Sequence, residues 1–510
     1  MKTLMTLGLR RRDHGARASC RTRVGARRLF LAGLAGVAAT GGCRSYERKP
    51  LELAATREAW LARSPSDESA RRFAGTLGRA ESDGGAVPVF DPSDGLTLGE
   101  AEPVALVFNR ELRLARLRAG VLRATAEHAG LWADPVVGVD LERIVSGVAE
   151  PWVITGTVGL TIPISGRPAA EKDRAGAEYA AELQRLAAAE WATRAALREL
   201  WVEWSAQAHR ARLAAELVDR LRDVAKLAER QEQAGVLSRV GARVFAVELA
   251  GSEADLIAAR ARASELELQL RDILGLSPQA SLRLVESVAF TPRGDEGAWS
   301  RETMEQGNAE LAAVRGEYEA AEQALRLEVR KQYPDLAVGP GYASDQGDDR
   351  VLLGLGLPIP LWNRNRQGVA EAAASREAAR GRFESTYEHL ASRLTIAQTR
   401  YEAARAVREA VESRVLPLAD EQDSDVRRIA ELGRVDPLLL LQGIRSRHDA
   451  KVRLVDARAA ESIGAVRLDE LIGPPTGGSP RGGPPASPEQ PDSSANSAKP
   501  AEPAAPGGPP

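Results

Sequence analysis

Two stretches of this chain follow one pattern, and that repeat restricts the available folds more than any other feature. VGLTIPISGRP, from residue 158, and VLLGLGLPIPLWNRNRQG, residues 351 to 368, each carry an alternating apolar segment into proline and then into a long helical run. Leu160, Ile162, Pro163 and Ile164 stand against Leu355, Leu357, Pro358 and Ile359. Asn109, Glu111, Leu112 and Pro135 match Asn308, Glu310, Leu311 and Pro334 at one constant offset, and Gly235 and Gly275 match Gly433 and Gly473 at nearly the same offset. Self-similarity over such a span marks a duplicated structural unit. The two copies run over residues 101–275 and 300–473, joined by a connecting segment, 276–299.

Each copy predicts a helix, two strands and a helical hairpin. From Ala101 to Trp132, Leu106, Asn109, Leu112, Ala115, Arg116 and Ala119 make one helical face, and Pro135 ends the run. Val137, Val139 and Leu141 then alternate with Gly138, Asp140 and Glu142. After a turn at 146–151, Trp152, Ile154, Val158, Leu160, Ile162 and Ile164 return on one face. In the second copy Leu336 and Val338 rise, Ser344 to Asp349 reads as a polar turn, and Val351, Leu353, Leu355, Leu357 and Ile359 return. Strands of about ten residues suit a tilted crossing of a bilayer. Trp132, Tyr333 and Trp362 stand at strand ends, where a membrane interface favours amphipathic rings. A hairpin of a water-soluble sheet is the alternative. If the strands span lipid they must close into a barrel, four cannot do so alone, and oligomerisation follows, with two copies giving eight strands and three giving twelve.

The helices make up most of the chain. No proline interrupts residues 169–277, where Leu183, Leu186, Leu197, Leu200, Trp204, Leu213, Leu217, Leu221, Val224 and Leu227 recur at helical spacing. The run up to Ala234 would reach about 100 Å. Gly235 and Gly433 reverse the two hairpins, since glycine accepts the left-handed backbone of a helix stop. Pro417 falls inside the second long helix and predicts a bend there. Aromatic residues are only 4% of the chain, as expected of thin helices packed closely over their length.

An export signal opens the chain. A basic stretch through Arg27 and Arg28 precedes the apolar run Leu29 to Ala39, and Thr40-Gly41-Gly42 leads into Cys43. The signal is expected over residues 1–42, ahead of an N-terminal segment and linker, 43–100. Cys43 has the setting of an acylated lipoprotein cysteine; an ordinary signal peptide that leaves a free thiol is the alternative. Arg27-Arg28-Leu29-Phe30-Leu31 fits a twin-arginine signal or a general basic leader equally. With Cys20 removed, Cys43 stands alone, which excludes an internal disulfide or a cysteine metal site. With 69 basic and 71 acidic residues, no strong charge imbalance points to nucleic acid or an anionic surface as a partner. The five histidines lack metal-ligand spacing, no catalytic or phosphate-loop motif occurs, and acids on the long helices read as solvated faces, so neither enzymatic activity nor a cofactor is expected. Residues 474–510, rich in Pro, Gly, Ser and Ala, read as a disordered tail.

The duplicated Asn-x-Glu-Leu starts, the proline-terminated strand pairs, Asn363-Arg364-Asn365-Arg366-Gln367-Gly368 and the paired tip glycines together resemble the TolC-like outer-membrane efflux proteins over residues 101–473. LPIPLWNRNRQG, with Pro358, Pro360, Asn363 and Gly368, resembles the heavy-metal cation branch. The resemblance implies a mainly α fold with membrane β, a homotrimer whose twelve-stranded barrel continues as a periplasmic helical tunnel. It implies docking of the tips onto a periplasmic adaptor and inner-membrane pump through Gly235, Val236, Leu237, Ser238 and Arg239 and through Gly433, Arg434, Val435 and Asp436. Where the family's acidic gate stands, this chain has Leu439 and Gln442; Arg434 with Asp436 is an alternative closing pair, or these residues only cap the next helix. A type I protein-secretion duct shares this architecture, and a non-channel coiled-coil scaffold would account for the helices alone.

Overall fold

The computed structural model describes residues 46–81, 90–147, 151–294, 298–345, 348–431 and 437–474. The expected signal, Cys43, Gly433, Arg434, Val435, Asp436 and nearly all of the tail lie outside them. The chain forms two compact units, residues 1–57 and 58–510. The described part of the first holds the start of helix α1 (Leu53–Leu61); the second contains both copies.

In the second unit, α2 (Glu68–Glu81) precedes α3 (Leu98–Phe108), which opens on a capping box between Thr97 and Glu100. The single helix expected over Ala101 to Trp132 is two, because Asn109 leaves the helical backbone (φ −53°, ψ 130°) and caps α4 (Arg110–His128) with its side chain. The face read from the sequence is otherwise present: Leu106, Asn109, Leu112 and Ala119 are buried, and Arg116 pairs with Glu190 at 2.6 Å. Strands β1 (Val136–Arg143) and β2 (Trp152–Ile162) follow, then α5 (Arg167–Gln233), α6 (Arg239–Ile273), the short α7 (Arg301–Gly307) and α8 (Ala309–Arg330). Strands β3 (Leu336–Asp345) and β4 (Asp348–Gly356) lead to α9 (Arg366–Ala410), a π-turn (Val411–Val415), α10 (Leu416–Glu431) and α11 (Pro437–Ile472).

The 67 residues of α5 span about 100 Å at 1.5 Å per residue. It packs on α6 and α4, and it also meets α8 and α11 of the other copy. Gly316 permits the α5–α8 approach, since a Cβ there would lie 3.1 Å from the Ala181 Cα. Leu186, Leu197, Trp204, Leu213 and Leu221 are buried as the periodicity implies, whereas Leu227 is largely exposed. Each copy has its own core: Leu197, Trp201 and Trp204 pack with Leu266, Leu270 and Leu274, and Leu390, Leu394 and Tyr401 pack with Leu468, Leu471 and Ile472. The connecting segment crosses between the copies. Ser205 Oγ accepts from the Ser287 N–H at 3.1 Å, and Ser462 Oγ donates to the Val288 carbonyl at 2.6 Å.

The irregularity expected at Pro417 is the π-turn just before it, where the Leu416 N–H reaches back five residues to the Val411 carbonyl. Widening the turn there accommodates a ring that clashes with the preceding helical turn and brings no N–H.

Candidate functional site

The four strands form one antiparallel sheet in the order β1-β2-β3-β4. Val139 opposes Gly156, Leu141 opposes Ile154, Leu160 opposes Val338, and Val338 opposes Leu355. One face therefore carries Val137, Val139, Leu141, Ile154, Val158, Leu160, Ile162, Leu336, Val338, Tyr342, Val351, Leu353 and Leu355 across all four strands. The other carries Gly138, Asp140, Thr155, Thr157, Thr161, Gly339, Gly341 and Arg350, with Val136, Val153 and Leu352 as its large apolar members, from the same registers. Most of the apolar face is exposed. Strands β1 and β4 are the edges, each with one neighbour.

Strand ends differ from expectation. Strand β2 stops at Ile162 and β4 at Gly356, so Ile164, Leu357 and Ile359 lie past the ladder; Pro163, Pro358 and Pro360 have no N–H to continue it. At the other end β3 continues through Asp345 and β4 resumes at Asp348, where a polar turn was expected.

The two strand-to-helix junctions are built differently. In the first, the Ser165 N–H donates to Asp335 Oδ1 at 3.2 Å and Arg167 lies 3.7 Å from the same carboxylate. In the second, Asn365 Nδ2 donates to the Glu328 carbonyl at 2.9 Å and to its Oε2 at 2.7 Å, and Lys331 lies 2.6 Å from Glu328. Gly368 leaves room for this contact, since a Cβ there would fall 2.5 Å from Glu328 Oε2. Asn363 accepts from the Arg366 N–H through its backbone carbonyl.

The α5–α6 reversal is a complete Schellman cap. The Gly235 N–H donates to the Glu232 carbonyl, the Val236 N–H to the Gln231 carbonyl, and Gly235 holds φ +70°. Ser238 Oγ then caps α6 by accepting from the Gly241 N–H. Gly235, Val236, Ser238 and Arg239 are exposed together. Of the positions in place of an acidic gate, Leu439 is exposed at 37% and Gln442 is also exposed.

Charged residues missed in the sequence lie nearby. Asp423, 3% exposed, receives Arg427 at 2.5 Å, Arg447 at 3.2 Å and Arg220 at 3.6 Å, while Arg447 also reaches Asp420 at 2.5 Å. This ties α5, α10 and α11 together. A second cluster centres on Asp469, 1% exposed, with Arg198 at 2.7 Å and Arg293 at 2.5 Å; Arg198 also meets Glu102 at 2.6 Å. These two acids are exceptions to the mostly solvated helix faces expected from the sequence, because neighbouring helices cover them. Burial opposes the charge of Arg198, but Glu102 and Asp469 hold its pKa above the ordinary arginine value. Burial raises the Glu470 carboxyl despite Arg393.

Between α5 and α11, His448 lines a cleft with Glu216, Arg220, Arg447 and Lys451. Burial lowers its pKa from 6.5, and Lys451 acts in the same direction against Asp449 and Glu216. The unfolded chain therefore binds the proton more readily. The resulting stability is complete above about pH 6.5 and is lost as pH falls through the lower folded value. Thermal unfolding at pH 7.5 and 5.5 should show a drop on acidification that is smaller in His448→Gln; an equal drop in both would place the titration elsewhere.

The recurring contact is a clasp present in each copy. Asn109 Oδ1 accepts from the Glu111 and Leu112 N–H groups while its Nδ2 donates to the Ile273 carbonyl at 3.0 Å. Asn308 Oδ1 accepts from the Leu311 N–H and its Nδ2 donates to the Leu471 carbonyl at 2.9 Å. Each asparagine thus joins a helix start to the end of the returning arm, beside Gly275 and Gly473.

Among the described residues no group of three or more metal-ligating side chains comes together, and no helix is long and apolar enough to cross a membrane. Residues 104–276 match the family model described as outer membrane efflux protein. The cobalt-zinc-cadmium resistance protein CzcC of Cupriavidus metallidurans is 25% identical over 252 residues, which is 49% of this chain and 60% of that protein. The chain thus matches less than two thirds of this relative's length. Among solved structures, the outer membrane protein VceC of Vibrio cholerae aligns with TM-score 0.62 at 18% identity, over 74% of this chain and 96% of its own. CusC, described in terms of folding and transmembrane channel formation, aligns with TM-score 0.63 at 14% identity, over 85% and 99%. Both share the fold of long helices with four antiparallel strands.

Proposed function

We propose, from the match of residues 104–276 to the outer membrane efflux protein family model, that the chain is the passive outer-membrane duct of a tripartite efflux system. The observation that carries this is the four-stranded sheet, apolar on one exposed face, mostly small or polar on the other, and open at both edges. In lipid an open edge leaves backbone N–H and C=O groups unpaired, so the sheet must close. An antiparallel meander with an even number of strands lets β4 of one copy pair antiparallel with β1 of the next. Three copies give a twelve-stranded barrel with Thr155, Thr157 and Arg350 facing the lumen and the helices continuing it as a periplasmic tunnel.

The exposed tip at Gly235, Val236, Ser238 and Arg239, with Gly433, Arg434 and Asp436 of the second hairpin, is the proposed docking surface for a periplasmic adaptor that joins the duct to an inner-membrane pump. The likeness to CzcC favours heavy-metal cations as cargo. Acylation of Cys43 would add a lipid anchor in the outer membrane.

Mass measurement of the full chain in detergent should give three copies, and a stable monomer would refute the closed barrel. In cells carrying the adaptor and pump, Gly235→Val should leave the trimer intact but reduce cobalt or zinc resistance, because the substitution strains an exposed turn with open space around its Cβ position. Unchanged resistance would remove this tip from docking.

A further inference from the structure

We propose that the second strand-to-helix junction binds the headgroups of anionic phospholipids in the leaflet nearer the helices, with Arg364 and Arg366 contacting the phosphate. This deepens the proposed function and rests on the sheet spanning a bilayer.

The two junctions differ in how their charge is used. At the first, Arg167 faces Asp335 at 3.7 Å; at the second, Lys331 and Asn365 both engage Glu328. Arg364 and Arg366 are exposed and have no carboxylate partner among the described residues. Arg364 Nε donates to the Pro360 carbonyl at 3.3 Å, which leaves its two terminal nitrogens available. Leu357, Ile359, Leu361 and Trp362 come immediately before, all exposed, with Trp362 at 86%. In chain order, apolar side chains give way to an indole and then to two guanidinium groups. That sequence matches the passage from acyl chain through the interface to headgroup phosphate.

The backbone supports the assignment. Arg364 holds φ 46°, a left-handed conformation that a long side chain rarely adopts and that glycine or asparagine would accept more readily. The Asn365 contacts to Glu328 hold the turn in place. An arginine at that position projects a planar fork suited to two phosphate oxygens, from a helix start where backbone N–H groups also favour an anion.

The test uses the full chain reconstituted in nanodiscs of equal phosphatidylglycerol and phosphatidylcholine. After mild delipidation, the lipids retained by the protein are measured by mass spectrometry. The native protein should retain phosphatidylglycerol in excess, and Arg364→Gln/Arg366→Gln should reduce that excess roughly fivefold or more, as expected for the loss of cationic groups at an anionic surface. Arg364→Lys/Arg366→Lys should keep most of it, and Arg260→Gln, on α6, should not change it. Equal retention of the two lipids by the native protein, or an unchanged excess in the glutamine variant, overturns the proposal while leaving the barrel intact. Failure of the native chain to enter nanodiscs overturns the barrel and this site together.

Discussion

Adding a methyl group at Gly473 or Gly275 should cost about 3 kcal/mol or more at each site and remove most of the folded population. A Cβ at Gly473 would lie 1.9 Å from the Gly307 carbonyl oxygen, and one at Gly275 would lie 2.1 Å from that of Phe108. Neither oxygen can swing aside as a side-chain tip could, because each belongs to the backbone immediately before the asparagine of the clasp. Relief would require moving the start of α4 or α8 and breaking the Asn109 bond to Ile273 or the Asn308 bond to Leu471. Both glycines also hold left-handed backbones, φ +84° and +69°. Gly235 provides the control, with φ +70° and nothing within 4 Å of a Cβ. Gly235→Ala should therefore cost only about 1–2 kcal/mol. Denaturant unfolding of the three alanine variants measures the difference, and equal losses at Gly473 and Gly235 would show that the close approach is irrelevant.

Asp469→Ala should destabilise the protein by about 3 kcal/mol, the low end for breaking a buried ion pair, because Arg198 keeps Glu102 and Arg293 is partly exposed. Its carboxylate holds Arg198 through Oδ2 and Arg293 through Oδ1. The Trp191 ring lies 5.6 Å from the Arg198 guanidinium and 5.1 Å from that of Arg293 and covers one side of both cations. Arg293 belongs to the connecting segment, Arg198 to the first copy and Asp469 to the second; the substitution loosens all three at once. Combining Asp469→Leu with Arg293→Met should recover part of the loss, since the cation that pairs with Asp469 alone is then removed while Arg198 keeps Glu102. A loss below about 1 kcal/mol for Asp469→Ala would place this cluster with ordinary surface ion pairs.

The duplication, the helix class, the four strands and their apolar face were all legible from the residues alone. Each of these is local: a period of two or of three to four residues, a proline or a glycine acts over one or two turns of chain, and the second copy repeats the signal. Val139, Leu141, Leu353 and Leu355 could be assigned to one face from alternation alone, and Gly235 to a turn from its neighbours. Which repeated residues meet depends on packing between distant parts of the chain. Asn109 and Gly275 both stood out as repeated positions, but no spacing relates two residues so far apart, and their contact exists because the returning arm ends against the start of α4. Burial of Asp423 and Asp469 was likewise hidden, because helical periodicity does not say which acids a neighbouring helix will cover. The one-residue break at Asn109 had the same origin: its side chain caps the next helix while reaching the end of another, a choice made by packing rather than by helix propensity.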